Sequence, residues 1–167
     1  MIAALELVPL PHEGGFFRQT WVSGRELATD AGERQAAASA IYFLLTAQDF
    51  SALHRLGGDE VWLFHGGDPV EHVQLDPAMG GARVARMGAD VLGGEVPQLV
   101  VRAGTWQGAR LAGWPAGGLT EEVPRGWALL SCIMAPAWDE RAFELGERAA
   151  LAAEFPAAAE LVRALTR

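Results

Sequence analysis

The sequence predicts an all-β domain followed by short helices, and three observations support this prediction. Short runs rich in β-branched and aromatic residues alternate with Gly, Pro and Asp along most of the chain. The run Glu60–His65 is apolar on both faces, which is typical of a strand in the middle of a sandwich or barrel. From Glu140 onward the chain is rich in Ala, Glu, Leu and Arg, a composition that favours helix.

The predicted strands have turn residues at both ends and lie at short, regular intervals. About eight such strands indicate a sandwich, barrel or jelly roll. The polar segment Ser23–Gln35 and residues 113–118 are predicted to be loops. In chain order the predicted strands are Phe16–Val22, Ala38–Thr46, Glu60–His65, Val70–Leu75, Ala82–Met87, Gln98–Ala103, Trp106–Leu111 and Trp127–Ala135.

The last segment predicts one or two helices packed on the outside of the barrel. Pro156 suits a first helical position, and Leu161 and Leu165 repeat at the i, i+4 spacing. A segment of about 28 residues cannot enclose a core of its own. We therefore predict a single domain over residues 1–167, with the barrel at about 5–138 and a helical appendage at about 139–167.

Composition and charge exclude several classes of function. The net charge of −8 argues against binding to a phosphate backbone. No apolar run approaches the ~20 residues that span a bilayer, and the first residues lack the basic region of a signal peptide. The single Cys132 has no partner for an internal disulfide and is predicted to be a small buried residue. These features predict a soluble cytoplasmic protein with no nucleic-acid or membrane partner.

The segment Ser51–Gly67, SALHRLGGDEVWLFHGG, contains the main catalytic candidates. His54 and Glu60 flank a Gly-Gly turn, so their side chains can point into one cavity. In a dry cavity Glu60 could fix the tautomer of His54 and raise its basicity, which suits a general base. A structural ion pair near the mouth of the barrel is the alternative interpretation.

This segment and Val100–Ala109 together resemble the two signature motifs of the cupins, small jelly-roll barrels that often hold a metal or small ligand. In the first motif His54, Glu60 and Gly67 match, and Leu56 replaces a histidine. In the second motif Gln107 stands where the last histidine is expected. The resemblance implies a divalent-metal site at His54, Glu60 and Gln107, which lacks two imidazole ligands. No cofactor is therefore firmly predicted.

Further motifs resemble one uncharacterised cupin family over residues of about 5 to 145. They are PHEGGFFRQTW from Pro11, AIYFLL from Ala40, HRL with the following DE and Trp62, GDP from Gly67, and AGTWQ from Ala103. The resemblance implies a double-stranded β-helix like that of RmlC, commonly a homodimer, with structural likeness to sugar-nucleotide epimerases. The single histidine and the glutamine belong to the family pattern itself.

Side chains near these motifs are the predicted ligand-binding residues. An arginine on the first strand could hold an anionic group by a bidentate fork, with a surface salt bridge as the alternative. Aromatic side chains could stack on a ring, although core packing is their commoner role. A histidine and glutamate before Gly-Gly could cap the pocket or a neighbouring subunit. The set is Arg18, Tyr42, Trp62, Trp106, Gln107, His12 and Glu13.

Two further histidines are predicted to lie outside the site. His65 closes an apolar strand and is interpreted as a structural histidine. His72 lies in PVEHVQL, where polar residues alternate with apolar ones, and is predicted to face solvent.

Three functions are compatible with these residues. The first is a small-molecule enzyme, such as an isomerase or epimerase of a carbohydrate-like anion, with His54 as base and Glu60 as its partner. The second is a binding protein for a small ligand without turnover. The third is a metal-dependent enzyme, which requires ligands that this chain lacks.

Overall fold

The computed structural model describes residues 1–28, 33–79, 81–113 and 124–167. Its strands form antiparallel sheets, and the helices follow them. In chain order the elements are β1 (Val8–Pro9), β2 (Phe16–Val22), β3 (Glu26–Ala28), β4 (Arg34–Ala36), β5 (Ser39–Thr46), β6 (Ser51–Leu56), β7 (Asp59–Gly67), β8 (Val70–Asp76), β9 (Gly81–Met87), β10 (Gln98–Val101), β11 (Trp106–Leu111), β12 (Trp127–Ala135), β13 (Phe143–Leu145), α1 (Arg148–Glu154) and α2 (Ala159–Ala164).

Two sheets pack face to face as a jelly roll, which confirms the predicted fold class. The six-stranded sheet has the order β1-β2-β5-β12-β7-β10, and the five-stranded sheet has the order β13-β6-β11-β8-β9. Consecutive strands β5 to β8 fall alternately in the two sheets, so that the chain wraps around one interior. The small pair β3-β4 stands apart from both.

The interior face of the six-stranded sheet is apolar. Phe43, Leu45, Trp62, Leu130 and Cys132 alternate with outward-facing residues along β5, β7 and β12, and all are buried. Alternation of this kind is expected of a strand with one face on the core. This sheet therefore supplies most of the barrel core.

The five-stranded sheet has an apolar outward face and a mixed inward face. Its outward face carries apolar residues such as Leu53, Leu75 and Trp106, which pack against Leu151 and Val162 of the helices. Its inward face combines polar side chains with apolar residues of the barrel core such as Val70, Ala109 and Leu111. The polar residues are His54, His72, Gln74 and Gln107, and each is buried.

Several sequence-based boundaries differ from the structure. The prediction missed β6, a short strand that mixes apolar with polar residues and contains His54. The segment Ser23–Gln35 was predicted to be a loop, but β3 and β4 lie at its ends and pair with each other. The start of the helical segment is also later than expected, because β13 pairs with β6 before α1 begins. Residues 114–118 of the second predicted loop lie outside the described residues.

In the part of the chain that the structure describes, no helix has both the length and the apolar character needed to cross a membrane.

Candidate functional site

A cavity between the two sheets is the candidate functional site. It has a volume of about 120 Å³ and is lined by residues of both sheets and of the turn before β2. Its wall is mainly apolar, and it reaches the surface beside Trp138, whose side chain is half-exposed. The apolar lining residues are Leu10, Phe17, Ile41, Phe43, Leu56, Trp62, Cys132, Met134 and Trp138.

His54 stands at the polar end of this cavity and is 2% exposed. Its Nδ1 lies 2.8 Å from the carbonyl oxygen of Ala52. Because a carbonyl oxygen can only accept a hydrogen bond, Nδ1 carries the proton. In a neutral ring Nε2 is then the free base, and the ion-pair partner it faces is Glu13 Oε2 at 3.9 Å.

Glu13 reaches the cavity from the turn that precedes β2. Its Oε1 accepts a hydrogen bond of 2.8 Å from Ser51 Oγ, and its backbone carbonyl accepts one of 2.8 Å from Ala52 N–H. Gly14, at φ +104°, allows this turn, because a Cβ there would overlap Phe50 O and the guanidinium of Arg167. Glu13 is therefore fixed to β6 through both its side chain and its backbone carbonyl.

Glu60 is held by a buried hydrogen-bond network. Its Oε2 accepts hydrogen bonds from Gln107 Nε2 at 2.6 Å and from Trp62 Nε1 at 2.9 Å. Trp62 Nε1–H also lies 3.0 Å from Gln107 Oε1, so the indole proton is shared between two acceptors. The predicted role of Glu60 as the partner that orients His54 is wrong, because the Ala52 carbonyl has that role.

Burial controls the ionisation of this cluster. Burial raises the pKa of Glu60, and nearby Glu13 adds to the rise, whereas His54 and the two N–H donors oppose it. Burial also raises the pKa of the Cys132 thiol well above its usual range, with a further contribution from the neighbouring Glu60 and Glu13. Cys132 is therefore a neutral thiol at this wall, and Glu60 retains a proton to higher pH than an exposed glutamate.

His72 was predicted to face solvent, and this prediction is wrong. The side chain is completely buried and packs edge-on against Trp62, with ring centroids 4.8 Å apart. Neither ring nitrogen has a hydrogen-bond partner of good geometry among the described residues, although the nearby Gln107 amide opposes part of the fall in the pKa of this ring. Burial lowers the pKa of His72 to about 3, so the ring is neutral at physiological pH.

Two predicted ligand-binding residues, Arg18 and Tyr42, lie on the outer face of the six-stranded sheet. They are register partners in β2 and β5, and the guanidinium lies 5.6 Å from the tyrosine ring centroid. Arg18 also forms a 2.9 Å salt bridge with Glu6. Their neighbours Phe17 and Ile41 line the cavity instead, since side chains alternate along a strand.

Trp106 and His12 are also outside the cavity. Trp106 faces outward into the cluster beneath the helices, and the Arg55 guanidinium lies 4.6 Å from its ring centroid. His12 is an exposed residue of the turn at φ +66°. Of the predicted site residues, the structure brings together His54, Glu60, Trp62, Gln107 and Glu13.

The apolar wall and the outer edge of the cavity are not predicted from the sequence. Phe17, Phe43 and Cys132 lie in predicted strands without a predicted role in the site, and Trp138 has no predicted role. Alternation along the predicted strands could have placed these strand residues on the inward face, because each lies two residues from another residue of that face. Nothing in the local sequence indicates that Trp138 lines the mouth.

The residues that the cupin motifs assign to a metal do not fit one. Glu60 Oε2 and Gln107 Oε1 both accept hydrogen bonds from the Trp62 indole, whose N–H therefore points at one of the two Glu60 oxygens and at the Gln107 oxygen that a metal would need. Leu56 supplies no donor atom. Among the described residues no group of three His, Cys, Asp or Glu side chains could hold a metal ion. The donor arrangement thus argues against a metal centre at this cluster.

A two-sheet jelly roll with a polar cluster inside it defines the protein as a cupin-type barrel. Residues 1–146 match the family described as Cupin superfamily (DUF985), and the chain belongs to that family. This confirms the resemblance found in the sequence. A search of curated proteins gives no match.

Two solved structures share this fold over nearly the whole chain. A hypothetical protein from Leishmania major is 33% identical, with a TM-score of 0.85 over 99% of this chain and 96% of that one. Protein SO0799 from Shewanella oneidensis is 31% identical, with a TM-score of 0.83 over 99% of this chain and 94% of that one. A cupin-2 domain protein, Rru_A2000 from Rhodospirillum rubrum, is similar in fold alone, at 14% identity and a TM-score of 0.59 over 96% and 89% of the two chains.

Proposed function

We propose that the protein binds a small molecule inside the barrel, with an apolar body against the six-stranded sheet and a polar group at His54. One observation carries this proposal. The cavity has aromatic and aliphatic walls, and three of its polar residues, Glu13, His54 and Glu60, lie together, with Glu13 Oε2 at 3.9 Å from His54 Nε2. Such a combination of apolar walls with a few convergent polar groups is typical of ligand sites.

The size of the cavity supports a small ligand. Its volume of about 120 Å³ is slightly less than the ~150 Å³ that accommodates benzene in an engineered protein cavity. Drug-sized ligands occupy roughly 300–1,000 Å³. A complete nucleotide sugar therefore does not suit the interior, and a fragment of a few carbon atoms does.

The charge of the cavity does not favour the anionic ligand expected from the sequence. Arg18, which was expected to hold the anion, lies on the outer face of the sheet. The described lining residues include Glu13 and Glu60 but no Lys or Arg. A carboxylate or phosphate group would be buried there without a cationic partner, which is costly.

A second candidate function is proton transfer within the bound ligand, as in an isomerase or epimerase. The observation that favours it is the orientation of His54, whose Nδ1–H is fixed by Ala52 and whose Nε2 faces the cavity. His54 could accept a proton, and Glu60, whose pKa burial raises, could return one. The two side chains would then act as the base and acid that such a reaction needs.

The binding proposal is tested with a matched pair of cavity variants. Ile41→Phe places a larger side chain in the cavity, whereas Ile133→Phe makes the same change on the outer face of the neighbouring strand β12. Small neutral, cationic and anionic fragments are screened by ligand-observed NMR. We expect hits with the wild type and with Ile133→Phe that Ile41→Phe loses. Hits that survive in Ile41→Phe would place the site elsewhere and refute the proposal.

The proton-transfer candidate is tested on any hit that carries an acidic C–H bond. In deuterated buffer the wild type should exchange that hydrogen, and His54→Gln should bind the fragment but exchange it far more slowly. Binding with no exchange above the buffer rate would leave the protein a binding protein without this activity.

A further inference from the structure

We propose that the ligand is a small primary ammonium compound whose charged nitrogen lies between Glu13 and His54. This inference rests on the proposed function, because it names the ligand class of the same cavity. It depends on three independent features of the site: the charges of its polar residues, the positions of its hydrogen-bond acceptors and the nature of its walls.

The charges of the lining residues favour a cation. Glu13 and Glu60 both reach the cavity, and the described part of its wall contains no Lys or Arg. When His54 is neutral and its Nε2 acts as an acceptor, the carboxylate of Glu13 has no cationic partner among these described lining residues. In a region of low dielectric constant, a ligand that carries positive charge compensates the remaining negative charge.

The acceptor atoms leave a gap that a donor group fits. Glu13 Oε2 and His54 Nε2 are 3.9 Å apart, which is too long for a hydrogen bond between them. Charge-assisted N–H···O hydrogen bonds are about 2.7–2.9 Å long. A single ammonium nitrogen at this distance from both atoms can donate one N–H to each. An alcohol has one proton and can satisfy only one acceptor.

The walls of the cavity also suit a cation with a short apolar chain. Phe17, Phe43, Trp62 and Trp138 line it, and the Phe43 and Trp62 rings meet at a right angle with centroids 5.6 Å apart. Aromatic faces attract ammonium groups and the CH groups next to them. An alkylammonium ion therefore finds a favourable surface along its whole length.

The test compares three probes of similar size that differ in charge: isobutylammonium, isobutanol and isobutyrate. Their binding is followed by the indole N–H resonance of Trp62, which is identified by its loss in Trp62→Phe. This proton is a direct reporter, because it is shared between Glu60 and Gln107 at the polar end of the cavity. We expect isobutylammonium to bind about tenfold or more tightly than isobutanol, as a charge-assisted contact would give. Isobutyrate should bind most weakly.

Matched variants identify the source of the preference. Glu13→Gln should reduce the preference for isobutylammonium to about twofold or less, because a neutral amide forms weaker hydrogen bonds than a carboxylate. Isobutanol binding should persist in this variant, which shows that the cavity is still folded. Glu6→Gln removes the same charge outside the cavity, where Glu6 pairs with Arg18, and should retain the full preference.

Failure of this inference can be told apart from failure of the proposed function. Equal binding of isobutylammonium and isobutanol, or tighter binding of isobutyrate, would overturn the ammonium ligand and leave the cavity as a site for another class. If none of the three probes binds but a fragment hit is lost in Ile41→Phe, the ligand class is again wrong. If the fragment screen also gives no hit, both proposals fail.

Discussion

Replacing His72 with leucine should make the free energy of unfolding less dependent on pH below about pH 6.5. The imidazole is completely buried, and burial lowers its pKa from 6.5 to about 3 in the folded protein. Smaller contributions to the lowering come from His54 and Arg83, and the Gln107 amide opposes them. The unfolded chain therefore takes up a proton on this side chain as the pH falls below 6.5, while the folded chain does not.

The sign and size of the effect follow from this difference. Between pH 6.5 and about 3 the unfolded state binds one more proton than the folded state at His72. The free energy of unfolding then falls by about 1.4 kcal/mol for each pH unit, or roughly 5 kcal/mol over the whole window. This is comparable with the whole stability of many small domains, which is about 5–15 kcal/mol.

The variant removes this dependence at little cost near neutral pH. Both ring nitrogens of His72 are buried without a hydrogen-bond partner among the described residues. Replacing unpaired polar atoms by an apolar side chain of similar size is close to neutral, or stabilising. We therefore expect His72→Leu to match or exceed the wild-type stability at pH 7.

The assay is urea unfolding at several pH values from 7 to 4 for the wild type, His72→Leu and a control. The control is His65→Leu, because His65 is exposed and bonded to Ser131 Oγ at 2.6 Å. The stability gained by His72→Leu over the wild type should grow by about 1.4 kcal/mol per pH unit below pH 6. A gain that does not change with pH would refute a buried, neutral His72. So would an NMR titration of this ring near pH 6.5.

The remaining predictions concern the cavity and its turn. Because burial raises the pKa of Glu60, the unfolded chain loses this proton before the folded chain does as the pH rises above 4.5. Glu60→Gln should therefore gain stability relative to the wild type toward neutral pH, by at most about 1.4 kcal/mol per pH unit. Urea unfolding measures this gain, and identical profiles for the two proteins would contradict the prediction. Gly14→Ala and Gly94→Ala both place alanine at positive φ, at a strain cost of about 1–3 kcal/mol. Only the new Cβ of Gly14→Ala also overlaps Phe50 O, so this variant should have the lower melting temperature. Equal melting temperatures would show that the turn adapts. Added manganese, nickel or zinc should not raise the melting temperature, and a rise that His54→Ala abolishes would show that the cluster binds metal after all.

Strands bounded by clear turn residues were predictable from the sequence. Phe16–Val22, Trp106–Leu111 and Trp127–Ala135 coincide with β2, β11 and β12. The pairing partners that make β6 a strand are distant in sequence, since it pairs with β11 and β13. Its alternation of apolar and polar residues suits a half-exposed surface as well as a buried strand, so local pattern alone could not identify it.

The site was predicted in part, for a related reason. The cupin motifs indicated His54, Glu60 and Gln107; the structure places His54 and Glu60 in the cavity wall and Gln107 in contact with Glu60. They gave no information on hydrogen-bond direction, so they could not show that Ala52 orients His54 or that Trp62 occupies the oxygens expected to bind a metal. These contacts depend on side-chain geometry across two sheets.

The orientation of β8, which was predicted wrongly at His72, explains why polar side chains can lie on the inner face of the five-stranded sheet. Alternation in β8 was interpreted with apolar residues inward, but Val73 and Leu75 face outward and pack beneath α1 and α2. The helices bury that outer face, so Val73 and Leu75 are covered there, whereas Val70, Ala109 and Leu111 of the same sheet join the barrel core. Beside these apolar positions the inner face carries His54, Gln107 and His72, while the outer face of the same strands keeps its hydrophobic layer. The helical segment is thus a condition for the polar chemistry of the interior, although it contributes no described residue to the cavity wall.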